Sequence, residues 1–292
     1  MENYSPFRTV HFLSLALCVH GTTTEGLFRY FPSLVALELR KVSSDSILPA
    51  GPFPPSLVRV LVRAATSSNA PVDYAAPLAP WQGLRVSSLR VTAAVSPLPV
   101  LAMFTAAQQQ RPWTLIIGRT IKVSAGQHGQ ASIELHPRDW DRAWLSQIHP
   151  YTSHLSHVKL RPTRILELVN SGLNLPALET ITLEMKGAVP RELFDVERQL
   201  AQGTVRAPKL RTLVVSVGTP ILWSTTRDAL CWAAECLPKL LRTWILYDAA
   251  SLESITVVMP RAERSRASED SFAELSALAG KFSLSYAGDT SH

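Results

Sequence analysis

One short phrase, leucine-x-x-leucine-x-leucine with isoleucine or valine allowed, recurs along this chain of 292 residues, and eight copies follow one another with middle anchors 23 residues or more apart. The first four copies are Val10/Leu13/Leu15, Leu34/Leu37/Leu39, Leu57/Val60/Val62 and Val86/Leu89/Val91. The second four are Leu155/Val158/Leu160, Leu178/Ile181/Leu183, Leu210/Leu213/Val215 and Leu252/Ile255/Val257. Each phrase reads as a strand with every second residue buried, preceded by one more apolar residue where the chain turns in. Such a strand cannot bury its apolar face alone. Stacked beside copies of itself it can, and a ladder of parallel strands results. The middle anchors lie 24, 23 and 29 residues apart in the first group and 23, 32 and 42 in the second, which leaves room for a helix between strands.

Four phrases are led by a proline two residues before the first anchor: Pro32, Pro55, Pro176 and Pro208. Proline holds the residue before it extended and ends any preceding helix, so it punctuates the passage from helix to strand. Helices are predicted over 190–203, which opens on Pro190, and over 224–237, with an apolar stripe of Leu230, Ala233, Ala234 and Leu237. A third is predicted over 271–282, where Ser271 and Glu274 form a capping box and Gly280 closes the element. Between the two groups lie the strand-like runs "WTLIIG" (113–118) and "ASIELH" (131–136), with a hairpin between them. The expected fold is therefore an α/β solenoid of irregular repeats. It forms one domain over 1–292, with a less regular hairpin-like insertion near 111–136.

The proline-led phrases "FPSLVALEL", "LPALETITL" and "APKLRTLVV" resemble the irregular leucine-rich repeats of fungal F-box proteins. That resemblance implies a curved parallel sheet with helices on its convex side. It also implies a role as the substrate-recognition part of a cullin-type ubiquitin ligase, in the cytoplasm or nucleus. The asparagine of the usual repeat, eight residues after the first leucine, is replaced by Val42, Ala65, Ala94, Thr163, Lys186 and Gly218. The turn backbone must then find other hydrogen-bond partners. "VPRELFDVERQL" (189–200) looks like the start of an F-box helix, yet "APKLRTLVV" returns to strand within a few residues, so it reads as a repeat helix. Docking to the cullin adaptor is then expected only if an F-box is supplied elsewhere.

Composition narrows the remaining classes. Lys plus Arg number 29 and Asp plus Glu 23, a net charge of +6 carried mostly by Arg, which favours planar carboxylate or phosphate partners. No dense basic run or aromatic-interleaved motif accompanies it, which argues against nucleic acid. Three cysteines, Cys18, Cys231 and Cys236, without CxxC spacing point to neither a disulfide framework nor a zinc site, and fit a reducing compartment. The run "VHFLSLALCV" (10–19) has the length of a secretory h-region, which supports an alternative reading as a secreted recognition protein with residues 1–21 as signal peptide. Asn3-Tyr4-Ser5 would be a glycosylation site only in that case. Glu2, Pro6 and His11 weigh against it, and the same run fits the repeated phrase. No other stretch approaches the roughly 18 apolar residues of a membrane span.

No catalytic motif stands out. Gly-x-Ser-x-Gly, HExxH and a strand-borne GxGxxG are absent, and "ALAGKFS" lacks the first glycine and the Ser or Thr of a phosphate loop. His128, His136, His149, His154 and His157 cluster in sequence, but "LSHVKL" reads as a strand, where His154 and His157 point to opposite faces. Asp139 and Asp141 in "RDWDRAW" (138–144) would diverge by about 200° on a helix, and Trp140 and Trp144 read as its buried side. The chain is expected to need no metal or cofactor and to catalyse nothing.

The functional candidates lie instead at the outward positions of the phrases. Ala36, Glu38 and Arg40 face out from the second, Arg59, Leu61 and Arg63 from the third, and Ser88, Arg90 and Thr92 from the fourth. Later phrases give His157, Lys159 and Arg161, then Thr180, Thr182 and Glu184, then Thr212, Val214 and Ser216. Arg40, Arg59, Arg63 and Arg90 thus fall on neighbouring strands. With Lys159 and Arg161 they are the candidate contacts for an acidic or phosphorylated segment of a protein partner.

Overall fold

The computed structural model describes residues 6–17, 26–64, 72–81, 84–94, 96–108, 111–118, 120–125, 131–137, 143–161, 164–185, 204–217, 229–248, 252–261 and 269–287. The chain is a mixed α/β protein that divides into two compact units, residues 1–113 with 119–151, and residues 114–118 with 152–292.

The first unit holds β1 (Phe12–Ala16), β2 (Ala36–Val42), β3 (Arg59–Ala64), β4 (Ser88–Ala94), β6 (Ile121–Ala125) and β7 (Ala131–Pro137), ordered β1-β2-β3-β4-β7-β6. All neighbours are parallel except β6 and β7. The register follows the sequence phrase. Leu13 pairs with Leu37, Leu37 with Val60 and Val60 with Leu89, and the next anchors, Leu15, Leu39, Val62 and Val91, align in the same way. Alternation buries Leu37, Leu39, Val60, Val62, Leu89 and Val91 to 3% exposure or less. The predicted run 131–136 is a further parallel strand, Ile133 pairing with Leu89 and Leu135 with Val91. The hairpin forms between β6 and β7, with Ile121 opposite Leu135 and Ala125 opposite Ala131. "IKVSA" therefore supplies a strand that the leucine phrase does not reveal: Ile121 and Val123 match it, but Gly118 stands at the first anchor position.

The second unit holds β5 (Trp113–Ile117, from Thr114 onward), β8 (Leu155–Leu160), β9 (Thr180–Met185), β11 (Thr212–Val217), β13 (Ser254–Met259) and β14 (Lys281–Tyr286), in the order β5-β8-β9-β11-β13-β14. From β8 to β14 every neighbour is parallel, and Val158, Ile181, Leu213, Ile255 and Phe282 form one continuous register row. β14 corrects the predicted helix over 271–282: a 3-10 turn spans Glu269–Phe272, a short helix Ala273–Ser276, and the strand begins just after Gly280. Its residue three before Phe282 is Ala279, so it escapes a pattern restricted to Leu, Ile and Val. Two short strands, β10 (Val205–Arg206) and β12 (Ile245–Leu246), pair in parallel away from the main ladder, and an isolated bridge adds Asn174 to Arg206.

The leading prolines have a sharper role than punctuation. Leu34, Leu57, Leu178 and Leu210 each donate a backbone hydrogen bond to the carbonyl three residues back, at Phe31, Pro54, Leu175 and Ala207. Each proline therefore occupies the second position of a β-turn, where its fixed φ is already correct. That turn drives the first anchor inward: Leu34, Leu57, Leu178 and Leu210 are all buried. At the far end of β2 and β4 the ladder register shifts, and Lys41 (φ 58) and Ala93 (φ 55) occupy equivalent left-handed positions. Val42 and Ala94 then turn into the core. Beside them, Thr92 Oγ1 accepts from the Ala64 N–H at 3.0 Å, and the Thr92 and Ala93 carbonyls accept from Tyr74 and Val72.

The predicted helix at 190–203 lies outside the described residues, as do 224–228. From Ala229 the chain is helical to Trp244, with a π-turn over Trp232–Cys236 in which the Leu237 N–H reaches back to the Trp232 carbonyl. Pro238, with no N–H to give, follows immediately, which accounts for the wider turn. Ala233 and Leu237 of the predicted stripe are buried, and Leu230 and Ala234 are half-buried, because Trp232, Cys236 and Leu240 take the centre of the buried side.

Candidate functional site

The parallel register sets three rows of outward side chains across the first unit. Ala36, Arg59 and Ser88 are neighbours in the first row, and Glu38, Leu61, Arg90 and Glu134 in the second. Arg40 and Arg63 follow the paired residues Leu39 and Val62 and begin the third. Adjacent strands run about 4.8 Å apart, so Arg40, Arg59, Arg63 and Arg90 do share one face. Lys122, opposite Glu134 on β6, adds to it.

Carboxylates are built into this face as well. Glu38 is only 6% exposed, lying under the arginines beside it. Its Oε2 accepts from Arg40 Nη2 at 3.0 Å and from Ser14 Oγ at 3.1 Å, and its Oε1 lies 2.9 Å from Arg63 Nε. That last contact is ionic; no hydrogen bond is aligned on Oε1. Glu134 takes Nε and Nη2 of Arg90 on one oxygen, at 3.0 and 2.6 Å, and the hydroxyl of Thr120 on the other at 3.3 Å. Arg59 is exposed between Ala36 and Ser88, with no ionic partner among the described residues. The face is positive, but only partly so.

Lys159 and Arg161 belong to the second unit. Lys159 pairs with Glu184 at 2.6 Å, and Arg161 is half-buried at the end of β8. His157 lies on β8, as its alternating pattern requires, with Nε2 at 2.8 Å from Thr182 Oγ1. Burial, helped by Lys159, holds its pKa below the usual value, so the imidazole is neutral near pH 7. Among the described residues no group of three or more His, Cys, Asp or Glu side chains is placed to hold a metal ion. His128, Asp139, Trp140 and Asp141 lie outside the described residues. No described helix is long and apolar enough to cross a membrane. The first unit also carries an open, mostly apolar groove of about 600 Å³ lined by Leu78, Leu98, Met103, Pro150 and Tyr151 among others.

The hydrogen bond from Arg40 is the chief cause holding the Glu38 carboxyl below its ordinary pKa, opposed by desolvation and assisted by Ser14 and the charges of Arg40 and Arg63. A carboxyl whose folded pKa is lowered contributes stability that is full above its unfolded pKa and is lost as pH falls through the folded value. Glu38→Gln should therefore be less stable than wild type at pH 7, with the gap narrowing as pH falls through and below the carboxylate range. Urea midpoints between pH 7 and pH 3 measure this, and a gap independent of pH would dismiss the ionic role.

The chain matches no family model, no curated protein and no solved structure.

Proposed function

We propose that this chain is a non-catalytic protein-binding scaffold, a leucine-rich-repeat solenoid whose outward strand face receives an acidic segment of a partner protein. The observation that carries this reading is the set of neighbouring guanidiniums on β2, β3 and β4, more numerous than the carboxylates beside them. Arg40, Arg63 and Arg90 remain half-exposed even in their ion pairs. The rows have the spacing of an extended peptide, because side chains two apart on a strand repeat at about 6.6 Å. The resemblance to F-box repeats supplies the rest of the reading: the scaffold selects substrates for a ubiquitin ligase, with the cullin adaptor engaged through an F-box supplied elsewhere. Phe12–Ala16 pairs along its length with β2, which favours a mature chain that keeps this strand over one that loses residues 1–21.

Arg59→Glu/Arg63→Glu reverses the sign of the centre of the face without touching the core, since both side chains are exposed. Binding to arrays of acidic peptides should fall at least about tenfold and should weaken with added salt in the wild type. Unchanged binding in the double variant would remove the face from consideration. Co-purification of the full-length natural product with the cullin adaptor tests the ligase assignment separately.

A further inference from the structure

We infer that Cys231 and Cys236 form a reversible dithiol–disulfide site on the helix that ends at Trp244, and that the π-turn over Trp232–Cys236 is what brings their sulfurs together. The docking face proposed above makes no use of this pair.

Five residues apart on an ordinary α-helix, two side chains diverge by about 140°, and their thiols would not meet. The wider turn changes that relation. Backbone pairing in it runs from one residue to the fifth before it, as from the Leu237 N–H to the Trp232 carbonyl. Residues five apart thereby become neighbours on consecutive turns, as residues four apart are on an α-helix. Cys231 immediately precedes the turn and Cys236 is its last residue. Both are reduced thiols, and the charge of one acts on the other.

Their surroundings divide the chemistry between them. Cys231 is half-buried and within reach of a small oxidant, whereas Cys236 is 7% exposed. Burial pushes the Cys236 thiol up, with Glu235 and Cys231 adding to the effect and Lys239 opposing it. Cys231 is therefore the thiol that meets a low-molecular-weight disulfide such as oxidised glutathione. Its thiolate attacks one sulfur of that disulfide, a mixed disulfide forms, and one glutathione thiolate leaves. The Cys236 thiolate then attacks Cys231 Sγ and displaces the second glutathione. The two cysteines lose two electrons, the small disulfide gains them, and the two thiol protons end on the departing glutathiones. Side chains one turn apart hold their Cβ atoms about 5–6 Å from each other, while a disulfide needs about 3.5–4.5 Å. The turn must tighten to close the bond, and a bond closed under strain is readily reduced again. So small a ring also constrains the unfolded chain little, which makes this a switch and not a staple.

The intact chain would be equilibrated in glutathione buffers of graded oxidised-to-reduced ratio, quenched in acid, alkylated and digested with trypsin. Cleavage after Arg227 and Lys239 leaves both cysteines on one peptide and Cys18 on another. That peptide should lose both alkylation sites together, carry no glutathione, and recover both sites with dithiothreitol. Cys236→Ser should stop at a glutathione adduct on Cys231, and Cys231→Ser should take up glutathione at least about tenfold more slowly than Cys236→Ser does. Pro238→Ala returns an N–H to the helix and lets the turn narrow, so the oxidised fraction should fall about tenfold while Cys231 still accepts glutathione. A wild-type peptide that stays reduced, or that holds glutathione on Cys231 without closing, would overturn the site. Closure undiminished in a Pro238→Ala chain with native circular dichroism would overturn the role of the π-turn. The same buffers in concentrated urea test that role without a variant: the native chain should close more readily than the unfolded one, and equal closure would count against the turn.

Discussion

Leu213→Asp should abolish cooperative folding of the second unit, whereas Val214→Asp, one residue along the same strand, should leave it folded. Leu213 is fully buried on β11, paired with Ile181 on one side and Ile255 on the other. A carboxylate there meets only apolar neighbours, and an unpaired buried charge of this kind costs several kcal/mol, about 3–5 or more. That is a large share of the stability of an ordinary domain. Val214 faces outward between Thr182 and Thr256, where a surface change is usually worth within about 0.5 kcal/mol. Urea denaturation followed by circular dichroism distinguishes the two. Equal damage from both substitutions would contradict the strict alternation on which the outward rows depend.

The second large effect is expected at Trp81, which is 1% exposed and closes an aromatic chain through Phe53 to Phe28. Its ring stands edge-on to Phe53, with centroids 6.2 Å apart, and its Nε1–H donates to the Pro49 carbonyl at 2.8 Å. Trp81→Ala removes the ring and the hydrogen bond together, and should destabilise the first unit by about 3–5 kcal/mol. Trp81→Phe keeps most of the hydrocarbon and strands only the carbonyl of buried Pro49, so about 1–3 kcal/mol should be lost. The ratio of the two losses, read from denaturation midpoints, separates packing from hydrogen bonding. If the Phe variant matches wild type, the indole bond to Pro49 contributes nothing.

The strands and their facing were legible because burial alternates along the central ones, as in β9, β11 and β13, where every second residue is buried. Leucine phrases far apart in the chain, such as those at Leu183 and Val215, became ladder neighbours in the expected register. What stayed hidden follows from the limits of that alphabet. β14 carries Ala279 and Phe282 at its first two anchors and β6 carries Gly118 at its first, so neither is visible to a search for Leu, Ile and Val. The prolines were seen, but a β-turn needs a partner carbonyl that residue order alone does not identify. At the candidate face the arginines stood out as the only strong charges of one sign. Glu38 was present in the same outward triplet, yet its burial under Arg40 and Arg63 is created by side chains of two strands closing over it. Glu134 was missed for a different reason: its strand reads as part of a hairpin, and only the parallel pairing with β4 brings it to Arg90.

Neighbouring strands keep their register whether the middle anchors are separated by 23 residues, from Val158 to Ile181, or by 42, from Leu213 to Ile255. Chain length between strands is thus decoupled from the lattice they build, since closing a longer connection costs only logarithmically more entropy. An insertion between β11 and β13 that spares the buried helix ending at Trp244 and the pairing of β10 with β12 should ride as passive cargo, while the rows of side chains on either side hold their spacing.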